Sequence, residues 1–419
     1  MQISTNEFLL GSISDLLQQQ QNVNTLNREI ATGETMLNAS SDPGGAAQVI
    51  GLANQIGSLS YDAANGQAAT QSLQVGVSTL QQVTTLLDQL GQTASAAANG
   101  TATSEDRQSD ISVAQSLLQQ LVQLANTQGA NGGYLFAGSK SNAPAFSFQS
   151  NGQVAFNGDA STNQVQIAPS LSVASTISGQ NVFMNVPAGN DGVAITANAT
   201  NAGTAYAVSQ GVTNVSQVTA ASLAGTEYDI SLSSSGNGLT YQVTSGHGAP
   251  GSAGYNASSG VVASGSFTAG SSISFGGAQV QINGTPSAGD SFAVQPGATT
   301  SLFQTVQNLI TALGMQQNTG AQSAQAQQAL QNVIANIHGA QTSVLSAQAT
   351  LGSNLAEIQS VANQTSAQST NATTAMSNLQ SANMPQVLAN YSEGVTALQA
   401  SEEAFAKVQN LTLFQYLLP

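Results

Sequence analysis

Residues 402–419 read EEAFAKVQNLTLFQYLLP, and within them Phe405, Val408, Leu411, Phe414 and Leu417 recur at every third position. On a helix that spacing gives five large apolar side chains a stripe that slants around the axis, which the sequence extends back through Leu398. Chain ends ordinarily fray and carry polar residues, so a stripe of this kind calls for something that buries it. A short helix gains little from its own backbone and owes most of its stability to packing.

The opposite end of the chain offers a partner. In SISDLLQQQQNVNTLNREIATG, residues 12–33, the line Leu16, Gln20, Val23, Asn27 and Ile30 advances by alternating steps of four and three, with Ile13 and Leu26 beside it. This is a coiled-coil-like seam with amides at some of its core positions. Two under-supplied helices paired together still leave apolar surface for other molecules, and polymerisation is the reading this favours.

Proline divides what lies between. Six of the nine prolines fall between Pro144 and Pro296, whereas 44–143 and 297–384 contain none. Proline-free segments of that length permit long helices, and a segment punctuated by Pro and Gly favours strands and turns. In SSDPGGAAQVIGLANQI, residues 40–56, Asp42 is placed to cap a new helix and Pro43 sits at its first position, where a missing N–H costs nothing. Farther on, Ser104 is the expected cap of a helix whose first turn carries Glu105 and Asp106.

The middle reads as β structure. YDISLSSSGNGLTYQV, residues 228–243, alternates Tyr228, Ile230 and Leu232, turns at Gly-Asn-Gly, and alternates again through Leu239, Tyr241 and Val243. Between 272 and 294 the pairs Ile273/Phe275, Val280/Ile282 and Phe292/Val294 mark three more short strands. Helical character returns with LFQTVQNLITAL at 302–313. The expected fold class is α+β and multidomain: a long helical bundle or coiled coil formed by both chain ends, with an inserted, mainly antiparallel β domain. The expected segments are an axial helix at 1–40, the helical body at 41–143 and 299–384, the insertion at 144–298, and a second axial helix at 385–419.

Composition removes several classes of function. Charged residues make up 5% of the chain, against roughly 25% in ordinary soluble proteins. Four cations, Arg28, Arg107, Lys140 and Lys407, face 19 acids for a net charge of −15. So few cations cannot neutralise a run of phosphates or hold an anionic membrane, so neither nucleic acid nor membrane is an expected partner. No apolar run has the length of a transmembrane helix. The opening MQISTNEFLLGSISDLLQQQQ has no basic n-region and no continuous apolar core, so no cleavable secretory signal is expected. With so little to titrate, such a polymer would suit acidic surroundings.

Chemistry is equally sparse. The chain has no cysteine, and its two histidines, His247 in SGHGAPG and His338 in IANIHGAQTSVL, stand apart from any acidic or histidine cluster. Glu105–Asp106 reads as a helix start and Glu402–Glu403 as the solvated face of the last helix. No nucleophile–base pair and no phosphate-binding motif can be named. No catalytic residue, metal or cofactor is expected.

Several stretches together resemble a known family. They are MQISTNEF at the start, LNREIATGETMLNASSDPGGAA at 26–47 with Asp42 and Pro43, ANTQGANGGYLFAGSKSNAPAF at 125–146, VQINGTPSAGDSFAVQPGATTSLFQTVQNLITAL at 280–313, and YSEGVTALQASEEAFAKVQNLTLFQYL at 391–417. Tyr134, Leu135, Phe136, Ala137 and Gly138 are the most specific of these. The chain resembles the hook-associated protein 3 (FlgL-type) group of flagellar hook–filament junction proteins, within the flagellin superfamily. One stretch departs from it: where the superfamily has an Asp-rich turn before the last helix, this chain has Asn383, Met384 and Pro385.

The resemblance implies paired terminal helices near the axis of a tubular, homo-oligomeric ring. A neighbouring hook-associated protein would lie on the hook side and flagellin on the filament side. It also implies export through the flagellar type III pathway without signal cleavage, a chaperone on the C-terminal helix beforehand, and a final place outside the cell. Leu16, Val23, Ile30, Leu398 and the stripe from Phe405 to Leu417 would then be the assembly and chaperone surface. The competing readings are a bulk flagellin of the same fold, a secreted adhesin or tail-like fibre, and an unrecognised hydrolase.

Overall fold

The computed structural model describes residues 2–35, 42–100, 102–236, 238–247 and 260–416. Three helices come first: α1 (Gln2–Thr32), α2 (Pro43–Ala98) and α3 (Ser104–Ala125). Strands β1 (Phe146–Phe148), β2 (Val154–Phe156), β3 (Gln164–Ala168), β4 (Leu171–Ala174), β5 (Val186–Pro187), β6 (Val193–Ala197) and β7 (Tyr206–Val212) follow, and then a short helix α4 (Val215–Leu223). Next are β8 (Thr226–Ser235), β9 (Gly238–His247), β10 (Val261–Ser266), β11 (Ser272–Phe275), β12 (Ala278–Asn283), β13 (Ser291–Pro296) and β14 (Thr299–Thr300). The chain returns to helix in α5 (Leu302–Leu313), α6 (Gly320–Gln380) and α7 (Met384–Tyr416). This is the α+β architecture expected from the sequence, with long helices at both ends and an inserted antiparallel β region.

The chain divides into two compact units, one of Met1–Ala64 with Ala362–Pro419 and the other of Asn65–Val361. The first contains α1, the opening of α2, the close of α6, and α7. Asp42 caps α2 as expected, its Oδ1 accepting from the Gly45 N–H at 2.9 Å, and Pro43 is the first helical residue.

The second unit has two hydrophobic cores. In one, α2 contributes Leu73, Leu80, Val83, Leu87 and Leu90, and α6 contributes Leu330, Val333, Ile337, Val344 and Leu351. Both sets follow steps of three, four or seven, the period that keeps a seam on one side of a long helix. Leu117 and Leu121 of α3 and Phe303, Val306 and Leu309 of α5 complete the helical part. The N-cap of α3 is Thr103, one residue before the expected Ser104. Its hydroxyl accepts from the Asp106 N–H, and the Asp106 carboxylate accepts from the Thr103 N–H. That reciprocal box needs an acid three residues after the cap, which Thr103 has and Ser104, with Arg107 at that offset, lacks.

The stretch expected as one insertion, 144–298, feeds both cores. Residues from Ala145 to Val186 pack into the helical core, where Phe136, Phe146, Phe183 and Phe303, all essentially buried, meet with ring centroids 5.0–6.0 Å apart. The pairs β1–β2 and β3–β4 are isolated two-stranded ribbons, too small to bury a core of their own.

The other core lies in a sandwich of a five-stranded sheet, order β10-β9-β8-β13-β6, and a three-stranded sheet, order β11-β12-β7, with every pairing antiparallel. Tyr228, Ile230, Leu232, Val243, Ile273, Phe275, Val280, Ile282, Phe292 and Val294 are buried in it, as their alternation predicts, while Leu239 and Tyr241 are half-buried. The hairpin of β8 and β9 closes with Ser235 opposite Gly238, and Asn237 of its turn lies outside the described residues. His247, expected in a loop, is the last residue of β9.

Because Phe183 is fully enclosed by three other rings, Phe183→Ala should cost about 3–5 kcal/mol. Phe148→Ala, at a ring 47% exposed, should cost about 0.5 kcal/mol. Urea unfolding midpoints of the two variants check the contrast.

Candidate assembly surface

In the first unit α1 and α7 run antiparallel, with Gln19 beside Ser401, Val23 beside Gly394, and Gly33 beside Ala382. Leu16, Gln19, Val23, Leu26 and Ile30 of α1 are half-buried. Facing them on α7 are Val387, which is buried, and Tyr391, Gly394, Val395, Leu398, Ser401 and Phe405, which are half-buried. Leu16, Val23 and Ile30 of α1 and Leu398 and Phe405 of α7 are thus all half-buried in this unit.

The seam does not include Gln20 and Asn27, which are exposed; Gln19 and Leu26 take those places. Four consecutive glutamines, 18–21, carry no register information, and Leu26 decides which amide turns inward. The side chains of Val408, Leu411 and Phe414, and Leu417 altogether, lie outside the described residues.

Two features give the pairing its fit. Gly394 lets α1 approach, since a Cβ there would stand 3.2 Å from a Val23 methyl carbon. Ser401 donates to Gln19 Oε1 at 3.0 Å, a polar rung that favours one register over its neighbours. At the far end Gly33 adopts φ +73° and ends α1. Backbone bonds then tie the two strands of chain together: the Thr35 N–H to Gln380 O at 2.6 Å and the Ala382 N–H to Gly33 O at 2.9 Å.

A second apolar line runs along α1. Leu10, Ile13 and Leu17 stand three and four residues apart and are exposed, Leu10 and Leu17 by more than half of their surface. Ile50 and Tyr61 of α2 and Leu388 of α7 are likewise exposed in this unit. The sequence reading passed over Leu10 and Leu17, although their spacing with Ile13 was the available signal.

The Tyr134–Gly138 segment lies in the second unit and serves the core. Leu135, Phe136 and Ala137 are buried, and Tyr134 is half-buried. Gly138, at φ +70°, crosses Asp159 so closely that a Cβ would overlap the aspartate side chain and carbonyl. Asp159 accepts from the Ser139 hydroxyl, from the Ser139 N–H at 2.9 Å and from the Ser161 N–H at 3.0 Å. These donors, the Ser139 hydroxyl first, hold its carboxyl down at about 2.

Among the described residues no group of three His, Asp or Glu side chains could hold a metal ion, and no helix is long and apolar enough to cross a membrane. His338 is exposed on α6 at a cleft of about 700 Å³ shared with Asp191, Val215 and Leu223. His247 is exposed, with Nδ1 3.1 Å from Gly225 O.

A family model described as the bacterial flagellin N-terminal helical region matches residues 3–141. Among solved structures, the chain is similar to flagellar hook associated protein-3 from Legionella pneumophila, at 29% identity and a TM-score of 0.69 over 78% of this chain and 98% of that one. The flagellar junction protein FlgL from the same organism matches at 29% identity and 0.67, over 80% and 100% of the two chains. FlgL from Xanthomonas campestris matches at 28% and 0.61, over 72% and 93%. No curated protein sequence matches the chain.

Two outcomes test this geometry. Trypsin has only Arg28, Arg107, Lys140 and Lys407 to cut. Gly394→Val should push α1 off α7 and raise cleavage at Arg28 and Lys407 several-fold relative to Arg107; an unchanged pattern would mean the helices are not closely packed at Val23.

At Asp159 the folded pKa, about 2, lies below the unfolded value of about 3.9. Its contribution is therefore complete above about pH 4 and is lost as the pH falls through about 2. Asp159→Asn should melt below wild type at pH 7 and at pH 4, with the gap closing near pH 2 in thermal scans.

Proposed function

Because the chain carries the flagellin N-terminal helical region and the fold of FlgL-type junction proteins, we propose that it is a structural component of the bacterial flagellum that joins hook to filament. The support is the likeness at 28–29% identity to proteins described as flagellar junction or hook-associated proteins, over more than nine-tenths of their length. The observation that carries assembly is the two-faced α1. One apolar face is matched to α7, and Leu10, Ile13 and Leu17 form another that this chain leaves open. An open apolar stripe on a helix gains stability when a further helix covers it.

In this reading the terminal segments 1–40 and 385–419 are the axial elements, packed between copies in a homo-oligomeric ring. Segments 41–143 and 299–384 form the surrounding helical body, which carries 144–298. One end of the ring meets a neighbouring hook-associated protein and the other meets flagellin. The subunit reaches the outside of the cell by the flagellar export route with its N-terminus uncleaved, and a chaperone shields Phe405, Val408, Leu411, Phe414 and Leu417 beforehand. Contacts between copies rest on apolar and amide packing, since only four cations are available for ion pairs. A bulk flagellin is the second reading, favoured by the family model at 3–141.

Immunogold labelling of intact cells separates the two. A single band where hook meets filament is the expected result, and label along the whole filament would make the protein a flagellin. Leu17→Gln should leave the melting temperature of the isolated subunit within about 2 °C, as for other exposed positions, yet abolish recovery of motility in a strain lacking the wild-type chain. Normal motility in that variant would remove Leu17 from the assembly surface.

A further inference from the structure

One face of α6 carries Gln325, Gln328, Asn332 and Asn336, spaced three, four and four residues apart. Each reaches backbone in the β region. Gln325 Nε2 donates to Ala199 O at 2.9 Å. Gln328 bonds both sides of one residue: its Nε2 donates to Ala207 O at 2.8 Å, and its Oε1 accepts from the Ala207 N–H at 2.6 Å. Asn332 Nδ2 donates to Ile195 O at 2.7 Å, and its Oδ1 accepts from Gln328 Nε2 at 3.0 Å. Asn336 Oδ1 accepts from the Gly189 N–H at 2.6 Å.

The targets are not arbitrary. Ile195 belongs to β6 and Ala207 to β7, and these are edge strands of the five-stranded and the three-stranded sheet respectively. The amides therefore stand where the next strand of either sheet would stand, and they bond the groups that such a strand would bond. Gly320 and Gly339 flank the row, and a Cβ at these positions would meet Thr204 at 2.8 Å and Pro187 O at 2.5 Å. The helix is thus stripped of side chain where it passes closest to the β region. No member of the row is ionisable.

We propose that this row of amides makes α6 a surrogate edge strand that locks the sandwich to the helical core as one rigid body, with a setting independent of ionic strength. Amide-to-backbone bonds are directional and are shielded here, with Gln328 and Asn336 buried. Screening that weakens exposed ion pairs leaves such bonds in place. A sandwich hung on a hinge, or held by charges, would behave differently.

The chain has no cysteine, so a pair of spin labels can be placed cleanly at Gln115→Cys on α3 and Ser234→Cys on β8, both exposed. The distance distribution between them is measured from about 0.01 M to about 1 M salt, where the screening length falls from about 30 Å to about 3 Å. The expected result is one narrow peak that neither moves nor widens, and that at least doubles in width in Gln328→Ala/Asn332→Ala. If the double variant does not fold, Asn332→Ala, which removes the donor to Ile195 and leaves Ala207 bonded, is read the same way. A broad or salt-dependent distribution in the otherwise unaltered chain overturns the proposal, as does a folded variant whose peak stays as narrow as its parent's.

Discussion

A side-chain amide that reaches a backbone N–H or carbonyl contributes a directional bond without an ion having to leave water, and so avoids the penalty that makes buried ion pairs uncertain stabilisers. In the second unit that interaction recurs between elements distant in the chain. Asn126 bonds both the N–H and the carbonyl of Phe146, at 2.9 and 2.8 Å, seating the first ribbon beside the aromatic cluster. Asn354 holds Ala174 O at 3.0 Å, and Asn65 of α2 donates to Gln166 O of β3 at 3.2 Å. With charged residues at 5% of the sequence, amides and hydroxyls take the positions where ions usually stand. The Gln328 and Asn332 contacts are the densest instance of a rule that runs through the second unit.

Apolar packing supplies what these bonds do not. The Phe136, Phe146, Phe183 and Phe303 rings come from four separate stretches of chain, so their contact closes long loops and ties α5 to the segment after α3. The Tyr134–Gly138 motif acquires a physical meaning here. It buries Phe136 in that cluster, while Gly138, in the left-handed region, lets the chain pass within contact of Asp159. A side chain at 138 would have to displace the aspartate that fastens Ser139 and Ser161. The motif is thus a packing device, and its specificity comes from the closeness of two backbone segments.

What could be read from the sequence follows from where its patterns were unambiguous. Alternation of Tyr228, Ile230 and Leu232 against Leu239, Tyr241 and Val243 admits a hairpin, and the structure pairs Ile230 with Val243 and Leu232 with Tyr241. Asp42 followed by Pro43 admits one helix start. The seam of α1 was legible as a seam but not in its register, because a run of glutamines offers every phase equally. The α6 row was illegible for the same reason: Gln and Asn fill so much of that helix that the four of the row look like the many which face water. The ribbons before Val186 were assigned by composition to the β region, yet their side chains complete a helical core, because short strands pack against whatever apolar surface is nearest.

The same weakness in the pattern bears on how the chain ends behave. The inward line of α1 includes Gln19, and its partner on α7 offers Ser401 at that level and Gly394 near Val23, so the contact buries little apolar surface per turn. Stabilisation scales with the apolar area removed from water, and a seam of half-buried residues removes only part of each side chain's area. Leu10, Ile13 and Leu17 hold the remaining apolar area of α1 on a separate line. The helix pair therefore gains most of its available stability only when both lines of α1 are covered at once.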